Sequence, residues 1–149
     1  MNPNQQRIGL VGCVSQKQAV TSRAEDLYTS TLFQGRRRFV TNSCHDWYIL
    51  SAKHGLVHRS TTIEPYDVAL TGQSRSTKRR WAGDVLAQIE RDIPNLEKVT
   101  FEIHAGADYF NFGLVDGLVR RGARVEIPTQ GLRQGEQLQY YKTRDGRPR

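Results

Sequence analysis

The chain has 149 residues, with 22 Lys and Arg against 15 Asp and Glu, for a net charge of +7. That length suits one domain with a real core, and no apolar run approaches the roughly 20 residues of a membrane span. The polar start from Met1 to Arg7 lacks a signal-type apolar stretch, so a cytoplasmic protein is expected. Two cysteines, Cys13 and Cys44, fall on different predicted elements, and they have no recognisable metal-ligand spacing with His45, His54, His58 or His104.

Ile8 to Val14 reads as a first buried strand. A helix is expected from about Ser22 to Phe33, with Ala24, Leu27, Tyr28 and Thr31 on one face and Gly35 at its end. Trp47 to Ser51 is a second strand. A long loop is expected from Ala52 to Arg75, with Glu64-Pro-Tyr-Asp as its most ordered part. Ser76 would cap the next helix, in which Trp81, Val85, Ile89 and Ile93 recur every four residues until Pro94. Val99 to His104 is a third strand, residues 107–121 a helix, Arg124 to Ile127 a fourth strand and residues 132–141 a short helix. Residues 142–149 read as a flexible basic tail. Strands alternating with helices predict a single α/β domain over 1–149, a three-layer sandwich with a four-stranded parallel sheet in the order 2-1-3-4.

No dinucleotide fingerprint, phosphate-binding loop or nucleophile elbow is present, so no cofactor is expected. The first two strands break into Gly12-Cys-Val-Ser-Gln-Lys and Leu50-Ser-Ala-Lys-His-Gly. Ligands of parallel sheets bind beyond the carboxyl ends of the strands, which makes these two segments the candidate site. Cys13 is a nucleophile type, and Lys17, Lys53 and His54 suit anion or proton handling. Ser15, Gln16 and Ser51 offer hydrogen bonds. Glu64 and Asp67 form the kind of carboxylate pair that glycosidic cleavage uses. Tyr28 and Tyr66 would stack on a base or sugar, and His104 at the end of the third strand would contact substrate. Arg75, Lys78 and Arg79 form one of several basic clusters, and such clustering favours a nucleic-acid or nucleotide partner.

Leu10-Val-Gly-Cys-Val-Ser-Gln-Lys, Asp26-Leu-Tyr-Thr-Ser-Thr-Leu-Phe, Ile49-Leu-Ser-Ala-Lys-His-Gly-Leu-Val and Ile63-Glu-Pro-Tyr-Asp, taken in that order, resemble small domains related to the YaaA peroxide-stress proteins and to the archaeosine-synthase core. In that resemblance Cys13 and Lys17 match a Cys-x-x-x-Lys motif, and Tyr66-Asp67 match a Tyr-Asp pair. It implies a fold similar to uracil-DNA glycosylases. The His-Pro-Ser motif of those enzymes is absent, and Ile127-Pro-Thr-Gln-Gly stands in the comparable place. The resemblance therefore implies a nucleobase pocket without uracil specificity. Three functions follow as expectations: an N-glycosylase-type hydrolase, a deazaguanine-type base-modifying transferase using Cys13, or a non-catalytic nucleotide or nucleic-acid binding module.

Overall fold

The computed structural model describes residues 5–12 and 19–148. It begins with strand β1 (Gln6–Gly12), the short strand β2 (Ser22–Arg23), helix α1 (Ala24–Leu27) and helix α2 (Thr31–Ser43). The expected helix over 22–33 is thus divided. Tyr28 is extended and buried, and Ser30 starts a new helix by accepting the Phe33 amide at 3.1 Å. Gly35 does not end that helix. It lies inside α2, where a Cβ would come within 2.7 Å of Tyr141 Cβ, so the missing side chain lets the C-terminal helix pack close.

Strand β3 (Asp46–Ser51) follows, and then the expected loop contains two strands, β4 (Gly55–His58) and β5 (Thr62–Ile63). β4 folds back antiparallel on β3, and β5 pairs with β2. Leu56 faces one side of the sheet and Val57 the other, each joining a different core cluster. Such a strand is too short to show its period in sequence. Helix α3 (Arg75–Asp92) is capped by Ser74, whose hydroxyl accepts the Thr77 amide at 3.1 Å, two residues before the expected cap.

Strand β6 (Val99–His104) leads into helices α4 (Ala107–Phe110) and α5 (Leu114–Arg120). The single helix expected there breaks at Gly113, whose φ of 119° no other residue adopts readily. Strand β7 (Arg124–Glu126) and helix α6 (Gln134–Thr143) complete the order. Beyond α6 the chain returns along α2. Asn42 Nδ2 donates to the Asp145 carbonyl at 2.8 Å, and a Cβ on Gly146 would meet the Phe39 carbonyl oxygen at 2.2 Å. The tail expected to lie free is packed as far as Gly146.

The protein is α/β, with a mostly parallel five-stranded sheet in the order β4-β3-β1-β6-β7. The expectation of four strands is corrected by β4, the antiparallel edge. Ile8, Leu10, Phe101 and Ile103 pack against α3, α4 and α5 on one face, while Val11, Trp47 and Ile49 pack under α1 and α2 on the other. Buried Glu25 fastens that second layer: Arg23, Arg37 and Arg59 lie 3.3, 3.9 and 3.1 Å from its carboxylate. No helix among the described residues is long and apolar enough to cross a membrane.

Candidate functional site

Ser51 ends β3 fully buried, and three elements meet on it. Its hydroxyl donates to Tyr66 Oη at 2.9 Å and accepts the Lys53 and His54 amides at 3.3 and 3.0 Å. Its carbonyl accepts Trp81 Nε1 at 2.8 Å. Tyr66 Oη lies 2.5 Å from Tyr28 Oη, and the His54 ring meets the Tyr66 ring edge-on at 5.4 Å. Gln88 fixes the turn from outside, donating to the His54 carbonyl at 3.2 Å and accepting the Leu56 amide at 2.9 Å.

The turn at the carboxyl end of β3 is therefore held from below, and it presents Lys53 and His54 to solvent. Burial, aided by the charge of Lys53, holds the His54 imidazole below its ordinary value. It is therefore neutral near pH 7, with one nitrogen to donate and one to accept. Glu64 and Asp67 are exposed on either side of Pro65 and buried Tyr66. Neither carboxylate has a hydrogen bond or ion pair among the described residues.

Several expectations change. Cys13, Ser15, Gln16 and Lys17 lie outside the described residues. Tyr28 and Tyr66 are 0% and 8% exposed and pack against Phe33, His54 and each other. They offer no open face for stacking, and their work is to anchor the Ser51 turn and the 64–67 segment. His104 is 0% exposed with both ring nitrogens engaged, so it presents neither nitrogen to solvent. Lys78 is spent on Asp108 at 2.9 Å and lies over the Phe112 ring, whereas Arg75 and Arg79 stand exposed at the start of α3.

The sequence reading missed a second polar centre, on the α2 side of the sheet. Glu102 Oε1 takes His104 Nε2 at 2.7 Å and Ser43 Oγ at 2.9 Å, and Oε2 takes Arg7 at 3.1 Å. Arg7 also binds Glu126. His104 Nδ1 meets Tyr141 Oη at 2.6 Å. Arg36, itself buried, reaches the Gly12 carbonyl at 3.3 Å and Gln137 at 3.1 Å.

Burial pushes Glu102 up, but the hydrogen bonds from His104 and Ser43 and the charge of Arg7 outweigh it and keep it an ionised carboxylate. Burial outweighs the pull of Glu102 on His104 and holds the imidazole below its usual range. The pair is therefore carboxylate and neutral imidazole, with the Nε2 proton toward Glu102 and the Tyr141 hydroxyl donating to Nδ1. Burial also raises Tyr141 above the ordinary phenol range, which keeps that hydroxyl protonated. Cys44 beside them is pushed up to about 12, by burial and then by Glu102, which leaves an inert thiol. The sequence carried one signal of this centre, Glu102 and His104 alternating with Phe101 and Ile103, and the structure adds Glu126 in register with Glu102.

These directions give a pH dependence. The unfolded chain takes up a proton at His104 from about its ordinary 6.5 downward, and the fold does not. Stability is therefore expected to be full above pH 7 and to fall below 6.5, by at most about 1.4 kcal/mol per pH unit for one proton. His54, shifted the same way, adds to this leg. A second fall begins near 4.5, where the depressed Glu102 starts to lose its contribution. Urea midpoints at pH 7.5 and 5.5 test the first leg. In His104→Gln most of the difference between the two should vanish, and an unchanged difference would assign it to another group.

The model of one protein family, described as a family of unknown function (DUF6884), matches residues 8–143. The chain belongs to that family. No curated protein and no solved structure matches it.

Proposed function

We propose that the chain is a nucleobase-acting enzyme, an N-glycosylase-type hydrolase whose site lies on the turn at the carboxyl end of β3. Its substrate is a modified or ordinary base in DNA or in a nucleotide. One observation carries the reading. The Tyr28–Tyr66–Ser51 hydrogen-bond chain ties the carboxylate segment 64–67 to the Lys53-His54 turn, at the end of a parallel sheet where ligands collect. The resemblance to the glycosylase-like fold and the exposed Arg75 and Arg79 agree with it.

In this reading Asp67 orients a water and takes its proton as the oxygen bonds to the sugar C1′. The C1′–N bond breaks with its electrons going to the base. Neutral His54 donates a hydrogen bond to the departing ring, and the Lys53 ammonium offsets its negative charge. Glu64 lies on the same segment and adds field against the positive sugar. A base in a duplex would first be flipped out.

The test is incubation with nucleosides, nucleotides and oligonucleotides of ordinary and modified bases, followed by chromatography and mass spectrometry. Free base released together with a sugar hemiacetal is expected. No base released from any substrate would overturn the proposal. Base exchange through an adduct on Cys13 would overturn hydrolysis and establish the transferase.

A further inference from the structure

We propose a second ligand site, a nucleotide cleft on the α2 side of the sheet toward the amino ends of the strands, separate from the Ser51 turn. Two adjoining cavities form it. One, of about 920 Å³, is bounded by the edges of β1, β6 and β7, the end of α2 and Pro128 and Pro148. The other, of about 590 Å³, lies between α2 and the returning C-terminal segment. Phe39 and Gly146 line both. The sizes fall within the roughly 300–1,000 Å³ of small-molecule sites.

The two halves differ in chemistry. The smaller is rimmed by Arg38, Lys142, Arg144 and Arg147. Asp145 takes Arg147, at 3.6 Å, and no carboxylate among the described residues pairs with the other three cations. Arg38 also donates to the Tyr141 carbonyl, and the Arg144 guanidinium lies over the Tyr140 ring; cations that line one groove without a carboxylate partner suit a phosphate. The larger half has apolar walls from Phe39, Pro128 and Pro148, and polar groups along one side. Gln5 Oε1 is buried there and has no hydrogen-bond partner among the described residues. A buried acceptor left unmade costs about 1–3 kcal/mol, so turning the Gln5 side chain to meet a ligand donor would recover part of that cost. Beside it Glu126 offers a second acceptor and Arg124 a donor.

A flat ring with N–H and acceptor groups on its edge, joined to a phosphate, answers both halves at once. That is a nucleoside monophosphate unit, either free or within a single strand. Burial keeps the Cys44 thiol protonated, so it does not act as a nucleophile in this cleft. The inference does not rest on the glycosylase reading.

The experiment is a titration followed by backbone amide NMR with AMP, GMP, CMP and UMP, with inorganic phosphate, and with a single-stranded hexanucleotide. At least one nucleotide should give saturable shifts at Phe39, Cys44 and Gly146. Lys142→Glu with Arg144→Glu, both exposed, should weaken it about tenfold or more. Gln5→Leu should weaken the nucleotide about three- to tenfold and leave phosphate unaffected. Tighter binding of the hexanucleotide would identify the source as a strand, and equal binding a free nucleotide. No saturable shift with any nucleotide would overturn the site. So would equal shifts from inorganic phosphate together with an inert Gln5→Leu, which would leave an anion groove only. Asp67→Asn should leave these shifts unchanged, so failure here and failure of the glycosylase reading remain distinguishable.

Discussion

Asp67→Asn is expected to slow base release by about 100- to 10,000-fold while leaving the melting temperature unchanged. Asp67 is exposed and holds no partner among the described residues, so the fold does not need its charge. Its backbone is a different matter. Tyr66 beside it is buried and fixed to Ser51 at 2.9 Å and to Tyr28 at 2.5 Å, which holds the carboxylate in place without an ion pair to quench it. A fixed carboxylate stabilises a sugar that becomes positive only as the bond breaks, and that differential interaction is what accelerates a reaction. Asparagine keeps the shape and removes both the charge and the proton acceptor. Turnover and thermal melts of Asp67→Asn and Cys13→Ser decide the matter. Activity intact in the first and abolished in the second would replace hydrolysis with covalent transfer.

Glu102→Ala is expected to cost about 2–4 kcal/mol, because it strands the His104 and Ser43 donors at about 1–3 kcal/mol each. Glu102 is 4% exposed and serves His104, Ser43 and Arg7 together. Alanine leaves the His104 Nε2 proton facing a void and releases Arg7 to Glu126 alone. Small domains hold about 5–15 kcal/mol in total, so such a loss is a large share of it. Glu102→Gln keeps one acceptor for His104 and Ser43 and should lose only about 1–2 kcal/mol. Urea unfolding at pH 7.5 measures both. Equal costs for alanine and glutamine would show that the charge, and not the acceptor, holds the centre together.

β1 and β3 could be read because each holds an apolar run ended by glycine or polar residues, and β6 because apolar residues alternate along it, while α3 shows an apolar stripe at every fourth residue. β4 could not, since four residues flanked by turns show no convincing period. The break at residues 28–30 was hidden because Tyr28 continues the helical stripe in spacing while serving as an extended core residue. At the site, Ser51, Lys53, His54 and Tyr66 were nominated by chemistry, and the structure brings Ser51, His54 and Tyr66 into contact. Sequence could not tell which of them would be consumed as supports: both tyrosines looked like platforms and became struts. The Glu102 centre was out of reach for another reason. Its partners Arg7, Ser43 and Tyr141 come from distant points of the chain, and polar residues alternating along β6 read as a wet face until α2 and α6 cover them.

The sheet has two borders, and both are short. β4 contributes four residues and β7 three, against seven in the central β1. An open strand border is a template on which another polypeptide can add, and the hazard grows with length, flatness and apolar character. Here one border is an antiparallel return that ends at His58, which is held by Asp46. The other carries the charged side chains Arg124 and Glu126 on either side of Val125. The charges that furnish the cleft wall on β7 thus also guard the sheet against runaway self-association. Substitutions that make this wall more apolar to tighten ligand binding will remove that guard as well.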